Sequence, residues 1–287
     1  MKNKLLVLVI TVTIIAGGGL LDLLNKEKNV RVSFLDVGQG DAILLRQGNF
    51  DLLVDGGPDL SVLQRLGETR PAWDRTIDVI ILTHPDQDHL NGLLYVVNRY
   101  NIGAVIFPKL VDKTKNYDAF LRVLKNKKIP VVFAAAGQII AREQIKLTIL
   151  APDEKLLTWG KGNMNSAAIV VKAELPGYSL LLTGDIEAPT ENYLVNKIGK
   201  TLAADILKVG HHGSKTSTSV SLLDAVKPKM AIISVAAKNM FGHPHPLTLK
   251  RLQGIGVERT DQMGTITLES SVKTGEIKLR CDKKCAL

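Results

Sequence analysis

The sequence predicts an α/β fold with its chemistry gathered along one sheet edge. Short apolar runs alternate with segments of helical period, as in Ile77–Leu82 followed by Leu90–Val97. Polar, chemistry-bearing residues follow such runs directly, where open α/β sheets place their ligands. All six histidines (84, 89, 211, 212, 243 and 245) lie in three loops, each after a predicted buried strand. Scattered surface histidines would not segregate in this way.

Thr83-His84-Pro85-Asp86-Gln87-Asp88-His89-Leu90 organises the chain. His84 and Asp86 alternate, so an extended backbone points both the same way and suits them to a first metal ion. Asp88 and His89 are adjacent, diverge, and suit a second. Imidazole with carboxylate fits zinc, manganese or iron better than calcium. The competing assignment, Asp88 as a helix N-cap, explains one of the four side chains and leaves the others unexplained.

Val30–Val37 reads as a strand, Gly38-Gln39-Gly40-Asp41 as a turn, and Ala42–Arg46 as the returning strand. Asn49–Asp55 is a third strand, ending in the tight turn Asp55-Gly56-Gly57-Pro58. A short helix over about 60–66 leads to the strand before the metal-capable stretch. Beyond it, 104–107 is a strand, 117–126 an amphipathic helix, and 131–133 and 145–150 are strands. Gly160–Ser166 is a polar loop that carries Asn163, Asn165 and Ser166. Segments 167–173 and 178–183 form a hairpin around Pro176-Gly177, ending in Thr183-Gly184-Asp185. A helix over 190–198 and a strand over 206–209 precede Gly210-His211-His212-Gly213-Ser214-Lys215. A helix near 220–226, a strand over 230–235 and the loop Phe241-Gly242-His243-Pro244-His245-Pro246 follow. Helix 247–253 and strands near 263–268 and 276–280 close the chain.

Residues 1–24 stand apart: Lys2 and Lys4 precede an uncharged run from Leu5 to Leu21. This reads as a signal peptide or a single membrane anchor, short for a span. Positive charge at its front places the rest of the chain outside the cytoplasm. Residues 25–29 are a linker and 30–287 one domain. Lys plus Arg is 37 and Asp plus Glu 28, a net charge of +9, which suits polyanionic partners such as nucleic acid or anionic lipid. Cys281 and Cys285 suit a small disulfide loop or free thiols better than a zinc knuckle.

His84-x-Asp86-x-Asp88-His89, Thr183-Gly184-Asp185 and His211-His212-Gly213-Ser214 together resemble the metallo-β-lactamase fold superfamily. Phe34-Leu35-Asp36-Val37-Gly38-Gln39-Gly40-Asp41-Ala42 and Gly242-His243-Pro244-His245 sharpen the likeness to the soluble metallohydrolase domain of ComEC-type competence proteins. The resemblance implies a four-layer αββα sandwich with a dinuclear site of two divalent ions, manganese or zinc, at its edge. His84 and Asp86 would hold one ion, Asp88 and His89 the other, and Asp185 would bridge. The last ligand lies in His211-His212 or at His243, with His211 taken as the ligand. Asp88, His212, His243 and Lys215 carry the catalytic expectation, His212 or His243 protonating the leaving oxygen. Asn163, Asn165, Ser166 and Ser214 are the expected substrate contacts. Two departures from the superfamily stand out. Asp86 replaces a common histidine, and no histidine occurs between 90 and 210. The carboxylate hardens the first site toward manganese, and the missing ligand implies one ion or none in the isolated protein.

The implied function is a phosphodiesterase or nuclease acting on extracellular DNA through a metal-activated water. The alternatives are hydrolysis of a lactone, thioester, β-lactam or choline-phosphate ester, and a non-catalytic DNA-binding module. The partners expected are DNA or another phosphodiester polymer, and a membrane through an uncleaved leader.

Overall fold

Apolar strands that are buried on both faces build the centre of the molecule. The computed structural model describes residues 29–283; the expected leader, most of the linker and Cys285 lie outside them. In chain order the strands of the first sheet are β1 (Val30–Phe34), β2 (Ile43–Gln47), β3 (Phe50–Val54), β4 (Thr76–Ile81), β5 (Asn101–Phe107) and β6 (Val131–Phe133). Those of the second are β7 (Ile139–Arg142), β8 (Ile145–Ala151), β9 (Val170–Leu175), β10 (Tyr178–Leu182), β11 (Ile206–Lys208), β12 (Met230–Ile233) and β13 (Gly256–Arg259), after which β14 (Ile266–Ser270) and β15 (Ile277–Cys281) return to the first. Their orders are β15-β14-β1-β2-β3-β4-β5-β6 and β13-β12-β11-β10-β9-β8-β7.

The sheets pack face to face. Val32, Phe34, Leu45, Leu52 and Ile81 meet Leu147, Val171, Leu180, Leu182 and Ile232 in one buried cluster. The outer face of the first sheet carries α1 (Ser61–Thr69), α2 (Gln87–Arg99) and α3 (Lys115–Asn126), seated through Leu66, Leu90, Leu93, Val97 and Phe120. The outer face of the second carries α4 (Glu154–Gly160), α5 (Ala188–Ile198) and α6 (Val220–Val226), with Leu156, Leu194, Leu222 and Val226 turned inward. Helices α7 (Pro246–Arg251) and α8 (Thr260–Met263) flank β13. Helices thus cover both outer faces of a double sheet, which is the αββα sandwich. Strands sealed on both faces lose polar alternation, so every residue of β2 is buried.

Four elements differ from the sequence reading. The strand expected near 263–268 starts later, as β14 from Ile266, because Met263 ends a short helix and Gly264 at φ +71 breaks the chain between them. Glu154–Gly160 is a helix capped by Asp153, whose side chain accepts from the Leu156 amide at 2.9 Å. Strands β7 and β13 escape the sequence reading because each is four residues long with little burial. Among the described residues, no helix is long and apolar enough to cross a membrane. Cys281 is disulfide-bonded.

β3, β4 and β5 are parallel neighbours, as are β10, β11, β12 and β13. The loops that follow β3, β4, β10, β11 and β12 therefore emerge along one edge, where Ile169 donates its amide to Thr83 O at 3.0 Å across the two sheets.

Candidate metal centre

Asp55, Thr83–His89, Asp185 and Gly210–Ser214 sit on that edge, each just beyond a strand, and His243 lies in the longer loop after β12. Helix α2 begins at Gln87, earlier than the apolar period suggested, with Asp86 as its N-cap residue. Asp88 and His89 therefore occupy its first turn, and His84 sits on the extended segment before it. His84 Nε2 lies 3.5 Å from Asp86 Oδ2, so this alternating pair does converge. His89 is fully buried and its ring stacks obliquely on that of His84, centroids 4.1 Å apart.

Asp88, His89, Asp185 and His212 bring ligand atoms within 4.8 Å of one another. Asp185 Oδ2 is 3.3 Å from both His89 Nε2 and His212 Nε2. His212 Nε2 is 3.2 Å from Asp88 Oδ2. The ring of the Gly210–Gly213 loop that joins this group is His212, not the expected His211. His211 stands outside: its Nε2 is 4.0 Å from Asp185 and its Nδ1 is 3.6 Å from Glu187 Oε1. Both histidines have left-handed backbone, at φ 49 and 52, a conformation that costs energy outside glycine. Consecutive left-handed residues turn the first ring outward and the second inward. Gly213 follows at φ +83, where a Cβ would come 2.7 Å from Pro244.

Side chains beneath the group fix it. Asp55, itself left-handed at φ 58, holds His89 Nδ1 at 2.8 Å and accepts the Thr83 amide and hydroxyl, both at 2.7 Å. The Thr83 hydroxyl also meets His84 Nδ1 at 3.0 Å. His212 Nδ1 donates to Ser234 O at 3.0 Å. Asp41 lies 3.6 Å from the same nitrogen and pairs with the ammonium of Lys208 at 2.8 Å; both are buried. With Nδ1 engaged on each of the three rings, Nε2 is left facing the centre, the usual arrangement for a ligating imidazole.

Sequence reasoning passed over Asp55, Asp41, Lys208 and Glu187. Asp55 and Asp41 had read as turn residues and Lys208 as the polar position of a strand. The detectable signal was Asp55, a carboxylate at a strand end on the same edge.

The residues fit divalent metal. Nε2 of His84, His89 and His212 and Oδ1 of Asp185 are buried without a hydrogen-bond partner, a costly state unless a cation completes it. Without one, protons serve. Burial favours neutral His212, but Asp185, Asp88 and Asp41 outweigh it and push its pKa up to about 10. His89 rises well above the usual value against its own burial, through Asp185, Asp55 and Asp88. Burial would raise Asp185, yet His212 and His89 hold it well below the carboxylate range. Asp88 is lowered in the same way, His89 and His212 overriding burial.

The expected substrate contacts are placed unevenly. Asn163 caps a 3-10 turn, Met164–Ala167, through its own side chain, and its Nδ2 donates to Glu187 Oε2 at 3.1 Å. That carboxylate also faces His211. Asn165 is buried in the turn, and Ser166 O accepts from Thr190 Oγ1 at 3.3 Å. The Ser214 amide is spent on His211 O at 2.9 Å and its hydroxyl on Thr216 at 2.9 Å, so neither points at a substrate. Lys215 is exposed. His243 is half-buried, packs on Phe241 and His211 with centroids 5.7 and 5.8 Å away, and is pushed down to about 4 by burial and the neighbouring histidines. His245 caps α7, accepting the Leu247 amide at 3.1 Å.

Comparison with known proteins agrees with the geometry. The model of the metallo-beta-lactamase superfamily matches residues 35–237. ComE operon protein 3 of Bacillus subtilis is 29% identical over 266 residues, 85% of this chain and 33% of its own length. Recombination protein 2 of Haemophilus influenzae is 32% identical over 249 residues, 82% of this chain and 28% of its own. The chain thus spans about a third of these relatives. Among solved structures, the metallo-beta-lactamase fold protein YhfI of Bacillus subtilis superposes with a TM-score of 0.57 at 13% identity, over 85% of this chain and 100% of that one. A diiron beta-hydroxylase, CmlA of Streptomyces venezuelae, shares the fold at a TM-score of 0.53 and 18% identity, over 85% of this chain and 54% of that one. On the span of the family match, the fold and the His/Asp group at the sheet edge, the chain belongs to the metallo-beta-lactamase superfamily of hydrolases.

Proposed function

We propose that the protein is a metal-dependent phosphodiesterase that cleaves DNA outside the cytoplasm. The observation that carries the metal-dependent part is the set of buried, unpartnered donors on His84, His89, His212 and Asp185. The net charge of +9 and relatives named for competence and recombination support a polyanionic nucleic acid as substrate. Bound divalent ions would supply Lewis acidity for the attacked phosphate and acidify a water. His84 and Asp86 hold one side of the centre; Asp88, His89 and His212 hold the other, with Asp185 between His89 and His212. Three carboxylates beside three imidazoles favour manganese over a purely nitrogenous zinc site.

The remaining roles belong to the rim. His211, relieved of ligation and oriented by Glu187, supplies the proton to the leaving oxygen. His243 and the exposed Lys215 face the phosphate. Asn163 holds Glu187, so it positions His211 rather than touching substrate.

The test is turnover of bis-p-nitrophenyl phosphate and single-stranded DNA with added manganese. Wild-type turnover should vanish on chelation and in Asp88→Ala, while His211→Ala should slow kcat about 100-fold or more, the usual contribution of a general acid. Turnover unchanged in Asp88→Ala defeats the proposal. So does cleavage of a lactone or thioester with none of a phosphodiester, or DNA binding that survives chelation without any cleavage.

A further inference from the structure

The end of the sandwich opposite the metal group has its own character. β1 is antiparallel to β2 and β2 to β3, while β3 and β4 are parallel. β1 and β4 therefore start at the same end, and the metal loops follow the other end of β4. The chain enters the domain at Asn29, so it enters on the far side from the metal. A six-residue strand is roughly 20 Å long, which sets the separation.

The loops at this entry end are basic. Exposed Arg75, Arg99 and Lys128 lie just before β4, β5 and β6, and exposed Lys200 and Lys227 lie before β11 and β12. The second sheet shares the end, because a Cβ on Gly177 in the β9–β10 turn would lie 1.9 Å from Gly275 O in the β14–β15 turn. Among acids there, Asp74 is engaged by Arg46 and Arg70, and Asp205 by Lys229; Glu143 and Glu276 are exposed. Trp73 projects from the same loop as Arg75 and is 84% exposed. An indole left in water beside cations is the composition of a membrane-interface anchor.

The uncharged run Leu5–Leu21 ends only seven residues before Asn29. Those residues span at most about 25 Å of chain, so a membrane held by that run lies close to the end where Asn29 enters the domain, with the metal edge a strand length farther along. We propose that the entry end of the domain rests on an anionic phospholipid surface, with Trp73 at headgroup level and the basic loops against lipid phosphates, and that the metal edge faces away from the bilayer. The inference does not depend on the substrate of the metal centre. Each exposed Lys or Arg near such a surface adds to the attraction, which salt weakens.

The test uses the full chain reconstituted in vesicles of phosphatidylcholine with and without phosphatidylglycerol, both doped with brominated lipid that quenches indole at the interface. Emission should be quenched in the anionic vesicles, less in the neutral ones and less in high salt. Trp73→Phe should remove the quenched component and leave the Trp159 emission. Arg75→Glu/Arg99→Glu/Lys128→Glu should relieve the quenching while phosphodiester turnover stays within twofold. Equal quenching in both vesicle types, or quenching that survives Trp73→Phe, overturns the proposal. So does a triple variant that loses DNA binding while its lipid quenching is unchanged, since the basic end would then be a nucleic-acid surface.

Discussion

Lys208→Met probes the ion pair that underlies the metal group. Lys208 is fully buried and Asp41 nearly so, with Nζ 2.8 Å from Oδ2. The ammonium also donates to Val209 O at 2.9 Å. Asp41 ties together both halves of the site: its amide donates to Asp88 O at 3.2 Å and its carboxylate faces His212 Nδ1 at 3.6 Å. Methionine keeps most of the stem and removes the ammonium, with its charge and its hydrogen bond to Val209 O. Breaking one side of a buried pair costs about 3–5 kcal/mol, because the partner charge is left uncompensated. In a domain of this size each kcal/mol shifts Tm by about 2–4 °C, so a fall of roughly 6–20 °C is expected. Urea unfolding of the metal-free protein isolates this cost from any loss of metal. Adding Asp41→Asn removes the orphaned charge, so the double variant should be more stable than Lys208→Met alone. A loss below about 1 kcal/mol in the single variant, or a double variant as unstable as the two single losses added, would refute the claim that the two groups compensate each other in the core.

Gly92 packs α2 onto the turn after β3, where a Cβ would lie 1.7 Å from Gly56 O; Gly92→Ala should lower the unfolding free energy from urea titration by at least about 2 kcal/mol and weaken metal binding through the displaced His89. A measured change under about 0.5 kcal/mol would contradict the packing. The pH dependence of the metal-free protein follows from His212, whose pKa is raised from 6.5 to about 10. Its stabilising contribution is complete below pH 6.5 and is lost as pH climbs toward 10, so stability should decline over that window, and His212→Asn should flatten the decline. Metal and protons compete for the same nitrogens, so metal affinity measured by titration calorimetry should strengthen as pH rises from 6 to 8. Asp185→Asn removes the carboxylate between His89 and His212, and metal bound per chain after dialysis should fall well below the wild-type level.

Local pattern made much of this protein readable in advance. The placement of His84, Asp86, Asp88 and His89 at a strand-to-helix turn follows from spacing alone, since an extended segment and a first helical turn fix where those side chains go. The layered architecture was legible through resemblance, and the strands sealed on both faces bear it out in their unbroken apolar runs. The positioning shell was not legible. Asp41 and Asp55 look like ordinary turn carboxylates, and Lys208 like a solvent-facing lysine, until the two sheets meet and bury them.

The choice between His211 and His212 shows where sequence stops. Both are histidines in one loop, and two consecutive left-handed residues decide which ring faces the centre; backbone dihedrals of that kind leave no mark in residue spacing. The sequence alone determined which chemistry the chain carries, because donor types and their local spacing are covalent facts. Tertiary structure decided which donors converge, which charges are buried together and which end of the sandwich is basic, because convergence, desolvation and surface charge arise only between residues far apart in the chain.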